Sequence, residues 1–160
     1  MIRSIIIAVT VLMAAVLFIG CQVGPNLSPM QLRQLTTRTI EGSYENVFKA
    51  TMTVLQDQGY IIKNTDMNSG LLVAAVDRQA NAFATILSGD LSTSVELTST
   101  VNKINATSQD LRINIQETNF TRGAWGSTDK SVTPIYDEKI YQGLFNQILT
   151  EVKRREALQK

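Results

Sequence analysis

Two neighbouring segments alternate apolar and polar residues so regularly that they dictate a sheet with one wet face. In Thr93–Ile104, Val95, Leu97 and Val101 share one side, and Glu96, Thr98, Thr100 and Asn102 the other; Ser99 is the only polar residue on the apolar side. Leu111, Ile113 and Ile115 alternate with Arg112, Asn114 and Gln116 in the same way. Successive side chains of a strand leave opposite faces, so a period of two marks a half-buried strand. Sheets that bury one face and wet the other are characteristically antiparallel. Asn105–Asp110 then joins the two strands as a hairpin loop.

What covers the buried face is written at the helical period. Val47, Phe48, Thr51, Val54 and Leu55 form one stripe, with Ser43 as N-cap, Glu45 in the first turn and Gly59 as a left-handed stop. A second stripe runs through Ile140, Tyr141, Leu144, Phe145, Ile148, Leu149 and Val152. For that helix Thr133 is the expected cap and Pro134 the first residue, with Asp137 and Glu138 in the first turn and Lys153, Arg154 and Arg155 at the negative end.

Thr36–Ile40 is β-branched and predicts a first strand. Tyr60–Thr65 and Leu71–Val76 flank Asp66–Gly70, whose residues suit a hairpin turn. Asn81–Leu87 fits either a short helix or an apolar loop, and Phe120–Thr133 is rich in glycine and polar residues and is expected to be a loop. Ser28 and Pro29 suit the start of a short helical turn over Met30–Leu35. The sum is an α+β fold: a two-layer sandwich with a mainly antiparallel five-stranded sheet and two helices on one face.

The chain's beginning is organised differently. Ile5–Ile19 is almost wholly apolar and uncharged, only Arg3 precedes it, and the run is shorter than the roughly 20 residues of a spanning helix. A positive start, a short apolar run and then small residues is the layout of an export signal. Cys21, the single cysteine, ends that run, so no intramolecular disulfide can form. Phe18-Ile19-Gly20-Cys21 resembles the bacterial lipobox, although Phe18 stands where leucine is usual. The resemblance implies cleavage between Gly20 and Cys21 and acylation of the Cys21 thiol, a covalent lipid rather than a cofactor. Several acyl chains make such an anchor stable, because one chain binds only marginally. Gln22, not aspartate, follows the cysteine, which implies the periplasmic face of a Gram-negative outer membrane. The expected organisation is residues 1–20 as signal peptide, 21–35 as lipidated cysteine and linker, and 36–160 as one domain. Gln22–Pro29, at about 3.3 Å per residue, reaches some 25 Å at most, so the domain stays near its membrane.

Removing residues 1–20 takes away Arg3 alone and leaves 14 basic against 14 acidic residues. A neutral domain offers no field for nucleic acid. The chain has no histidine, the commonest general base and transition-metal ligand, and its one thiol is assigned to lipid. No nucleophile elbow or phosphate-cradling loop occurs. The adjacent Asp137 and Glu138 suit a helix start better than a carboxylate pair. Asp66-x-Asn68-x-Gly70 suits a hairpin better than a calcium loop, since it lacks the later ligands. The reading is therefore of a protein that is not an enzyme and holds no metal. Trp125, in a glycine-rich stretch three residues from Arg122, is either folded onto the core or an anchor for a partner, with Arg122 beside it.

Phe48–Ala75, with Leu55, Gly59-Tyr60, Asp66 and Gly70-Leu71-Leu72, resembles the helix-grip repeats of BamC-type lipoproteins, accessories of outer-membrane protein assembly. That resemblance implies a binding or assembly module of the envelope with a protein partner. The competing expectation is a lipoprotein that carries a lipid or other apolar ligand between helices and sheet.

Overall fold

The computed structural model describes residues 27–79, 91–122 and 128–159. Helix α1 (Pro29–Thr36) leads directly into strand β1 (Thr37–Glu41), followed by helix α2 (Tyr44–Asp57). Four strands come next: β2 (Ile61–Asp66), β3 (Leu71–Gln79), β4 (Leu91–Lys103) and β5 (Ser108–Arg122). Strand β6 (Thr128–Pro134) and helix α3 (Glu138–Leu158) complete the order. The fold is α+β, with a six-stranded sheet in which every pairing is antiparallel.

Local chemistry accounts for the element starts. The Ser28 hydroxyl accepts from the Gln31 N–H while the Gln31 side chain accepts from the Ser28 N–H, a reciprocal capping box with Pro29 behind it. Ser43 caps α2 by accepting from the Asn46 N–H. Gly59 has φ +85° after α2, the left-handed conformation that glycine adopts without a Cβ penalty. The expected start of the last helix needs correction. Asp137 is the N-cap of α3, accepting from the Lys139 and Ile140 N–H groups, while Pro134 ends β6 and Thr133 lies within it.

The apolar alternation selects the register. Leu72 stands opposite Ser99, and Ser99 opposite Ile113; Ala74, Leu97 and Ile115 form the next row. The apolar residues of these rows and Val47, Phe48, Leu55, Tyr141, Phe145 and Ile148 from the helices belong to one buried cluster. Burying one leucine-sized side chain contributes about 1.5–3 kcal/mol, so this cluster dominates the stability of the domain. Glu96, Asn102, Arg112 and Gln116, one position along, are exposed.

The sheet has six strands instead of five, and the described helices number three instead of two. The additional strand comes from the stretch expected to be a loop: Thr118–Arg122 extends β5, and Thr128–Pro134 returns as β6. The reason is visible in the burial. Glu117–Phe120 are all half-exposed and Asp129–Pro134 all exposed, so neither side of this hairpin is dry and no apolar period marks it. The third helix, α1, is the short turn expected over Met30–Leu35, extended to Pro29–Thr36; it occupies part of the stretch assigned to linker, and its Leu35 packs against the core. Asn81–Leu87 lies outside the described residues, although β3 and β4 run further toward it than their apolar patterns.

Topology then produces an unusual sheet edge. Strand order is β1-β5-β4-β3-β2, and β6 also pairs with β5. Strand β1 pairs with residues 108–112 of β5, and β6 with residues 116–122, so two strands share one edge end to end. Their junction is closed by a side chain. The Ile115 N–H donates to Tyr141 Oη at 3.2 Å, and Tyr141 Oη donates to the Ile135 carbonyl at 3.1 Å. The Ile135 N–H donates back to the Ile115 carbonyl at 2.9 Å, completing a ring of three hydrogen bonds.

Candidate functional site

Helix α3 is 21 residues long and α2 only 14, so the first turns of α3 extend past the end of its neighbour. The two helices run alongside each other and are tied at three levels. Asn46 and Gln159 exchange amide hydrogen bonds of 2.9 and 3.2 Å, Arg155 Nη2 donates to Thr53 Oγ1 at 2.8 Å, and Gln58 Nε2 donates to Gln147 Oε1. Beyond the glutamine pair a groove of about 320 Å³ opens, with Val95 and Ile115 as floor and Tyr60, Ile135, Ile140 and Leu144 as walls.

Gly143 lies in this groove on α3, and a Cβ built there would meet nothing within 4 Å. Ile140 belongs to the expected buried stripe, yet it is 44% exposed, because α2 ends short of this part of α3. Among the described residues, Lys139 is the only charged one lining the groove. The floor is already well covered, Val95 and Ile115 being 3% and 2% exposed. The surface left to be recognised is therefore that of Ile140 and its rim. The sequence signal for this place was a glycine beside a helical apolar stripe whose own positions all carry bulk.

Two other concavities are chemically quieter. A wider, open cleft of about 780 Å³ lies at the start of α2, beside the β2–β3 turn. Two of its polar side chains are already engaged: Tyr44 Oη donates to the Met67 carbonyl at 2.7 Å, and Glu45 Oε1 accepts from Lys49 Nζ, which lies outside the cleft lining. Burial, reinforced by the Asp66 charge, raises the Tyr44 pKa above the ordinary tyrosine value. The third, about 430 Å³, separates α1 from α3; there the Arg38 guanidinium lies 5.1 Å over the Phe145 ring and bonds Asn146.

The acidic candidates are accounted for by local structure. Asp66 accepts from the Asn68 N–H at 2.9 Å inside the hairpin turn. The Ser69 side chain, then the Asn68 N–H, hold its carboxyl below the ordinary aspartate range. Asp137 caps α3, and Glu138 accepts from Gln142 at 2.7 Å. At the other end of α3, Arg154 grips Glu151 with two bonds of 2.7 Å, and Arg155 adds a third of 2.8 Å. Hydrogen bonding by Arg154 is the main reason that the Glu151 carboxyl titrates below its usual range. Among the described residues no group of three or more acidic, histidine or cysteine side chains is placed to hold a metal ion.

No protein-family model matches this chain, and no curated protein matches it. Of the residues singled out in the sequence, Gly20, Cys21 and Trp125 lie outside the described residues. Arg122 is the last residue of β5 and pairs with Thr128 at the end of the β5–β6 hairpin. Among the described residues no helix is long and apolar enough to cross a membrane.

Proposed function

We infer that this chain is a lipid-anchored binding or assembly module of the bacterial envelope, acting without catalysis. In this reading acyl chains on Cys21 hold the domain at the periplasmic face of the outer membrane, where it meets a protein partner. In this reading the fold is a two-layer arrangement, with α2 and α3 on one side of the sheet, consistent with a helix-grip module of the BamC type. The observation that carries the reading is the apolar rim around Gly143, where Ile140 stands exposed beside a groove whose floor the core already fills. A shallow, floored groove suits recognition of a partner's side chains. It is less suited to enclosing a lipid, because sites for small apolar ligands bury most of their ligand's surface.

Two measurements test this. Replacing Cys21→Ser abolishes incorporation of labelled fatty acid if the thiol is the anchor; persistent labelling would overturn that part. For the partner, an acylated, tagged copy is extracted in mild detergent and compared with Gly143→Leu, which projects bulk into the groove, and Gly143→Ala as the matched control. Partner recovery survives the alanine and fails with the leucine. If recovery is equal in both, the groove is not the contact surface. Native mass spectrometry of the same material that finds stoichiometric lipid would favour the carrier reading instead.

A further inference from the structure

Helix α1 connects the tether to the sheet, yet its own bonds are almost all local. Its N-terminus is satisfied by the Ser28–Gln31 capping box, the Thr36 hydroxyl donates to the Leu32 carbonyl at 2.9 Å, and the Thr37 N–H donates to the Arg33 carbonyl. Among the described residues no side-chain hydrogen bond or ion pair ties α1 to α3 or to the sheet. Only Thr36 is fully buried; Leu32 and Leu35 are half-buried, and Met30 is 72% exposed. The next element is held very differently, because β1 is hydrogen-bonded along β5 from Thr37 to Glu41 and buries Ile40.

We propose that α1 is a releasable part of the membrane tether, a folded reserve of chain that lengthens the domain's reach when it lets go. The proposal rests on the reading of Cys21 as the anchor. Because its capping bonds are internal, α1 leaves the surface without stranding hydrogen-bonding groups on the elements that remain. Once detached it melts, since isolated helices shorter than about 12 residues are marginal in water. The eight residues span about 12 Å as a helix. Extended, they span at most about 26 Å, a gain of about 14 Å in the reach of the tether. Strand β1 stops the release, because its ladder to β5 belongs to the sheet.

Hydrogen exchange on the full-length protein tests the release itself. The expected result is that Leu32–Thr36 amides open at least about 100-fold more readily than amides in the middle of α2 and α3. Leu35→Ser then removes the remaining protection of α1 while α2 and α3 stay protected. Exchange of α1 and α3 at one common opening free energy in the wild type would overturn the proposal, whether or not the variant folds. Reach is measured with the acylated protein in bilayers, using a dye on Ser131→Cys and a lipid quencher. Gln34→Pro, which breaks α1, moves the dye outward by up to about 14 Å; an unchanged separation would refute α1's role in reach. Fatty-acid labelling of Cys21 is read separately, so failure of the anchor and failure of the release are distinguishable.

Discussion

Tyr141→Phe isolates the hydroxyl that closes the edge of β5. Phenylalanine keeps the ring, which is 1% exposed and part of the core, so packing is preserved. What disappears is one acceptor for the Ile115 N–H and one donor to the Ile135 carbonyl. A buried donor left without a partner costs about 1–3 kcal/mol, and the carbonyl's loss adds a few tenths, so the expected destabilisation is about 2 kcal/mol. For a domain of about 120 residues that lowers Tm by about 8 °C. Urea unfolding, followed by circular dichroism, measures it, with an unchanged m-value showing that the same surface is exposed. Alkaline pH supplies a second check. Burial raises the Tyr141 pKa above the ordinary tyrosine value of 10.0, against the opposing hydrogen bond from Ile115. Its contribution is therefore complete below pH 10 and is lost as pH rises through the higher folded pKa. Tyr44 shifts the same way, so the diagnostic quantity is the difference between wild type and variant. A loss under 0.5 kcal/mol, by the order of magnitude expected for a surface change, would refute the closing role of the hydroxyl.

Ser99 is fully buried, and its Oγ has no hydrogen-bond partner, so Ser99→Ala should stabilise the domain by about 1 kcal/mol in the same urea assay. Gly70 has φ +72°, and a Cβ there would stand 2.2 Å from the Val101 carbonyl oxygen, contact that backbone cannot relieve. Gly70→Ala should cost about 3 kcal/mol or more; a loss below 1 kcal/mol would mean the β2–β3 turn rearranges freely. Glu151 is held low mainly by Arg154, so its stabilising contribution is present above its unfolded pKa, near 4.5, and is lost as pH falls through the lower folded value. Glu151→Gln should flatten that acid limb of the stability profile, and an unchanged limb would place the effect elsewhere.

Much of the architecture was legible because it depends on burial at a local period. The stripe of α2 and the alternation of β4 and β5 each state which side is dry, and the capping residues Ser28 and Ser43 act within one turn of their own positions. Legibility failed at β6 for the same reason: Asp129–Pro134 are exposed throughout, so pairing there leaves no periodic trace. It failed again at Ile140, where the helical period is satisfied but the neighbouring helix ends too soon to cover it. The β-branched Thr118, Val132 and Thr133 were the available hint of the hairpin, a weak one because β-propensity depends on context.

By itself, then, the sequence determined the dry faces of the main elements, most of their ends, the absence of histidine, and the placement of a lone cysteine just after an apolar run. Tertiary structure alone decided that β1 crosses to pair with β5, that β6 shares that edge, and that Tyr141 joins them. It also decided that Gly143 opens a groove and that α1 rests on the domain by Leu35 and Thr36. The division has one physical cause. Periodicity records whether a residue meets water, a property of each element's own surface, whereas pairing, edge-sharing and helix overlap depend on lengths and contacts between elements far apart in the chain.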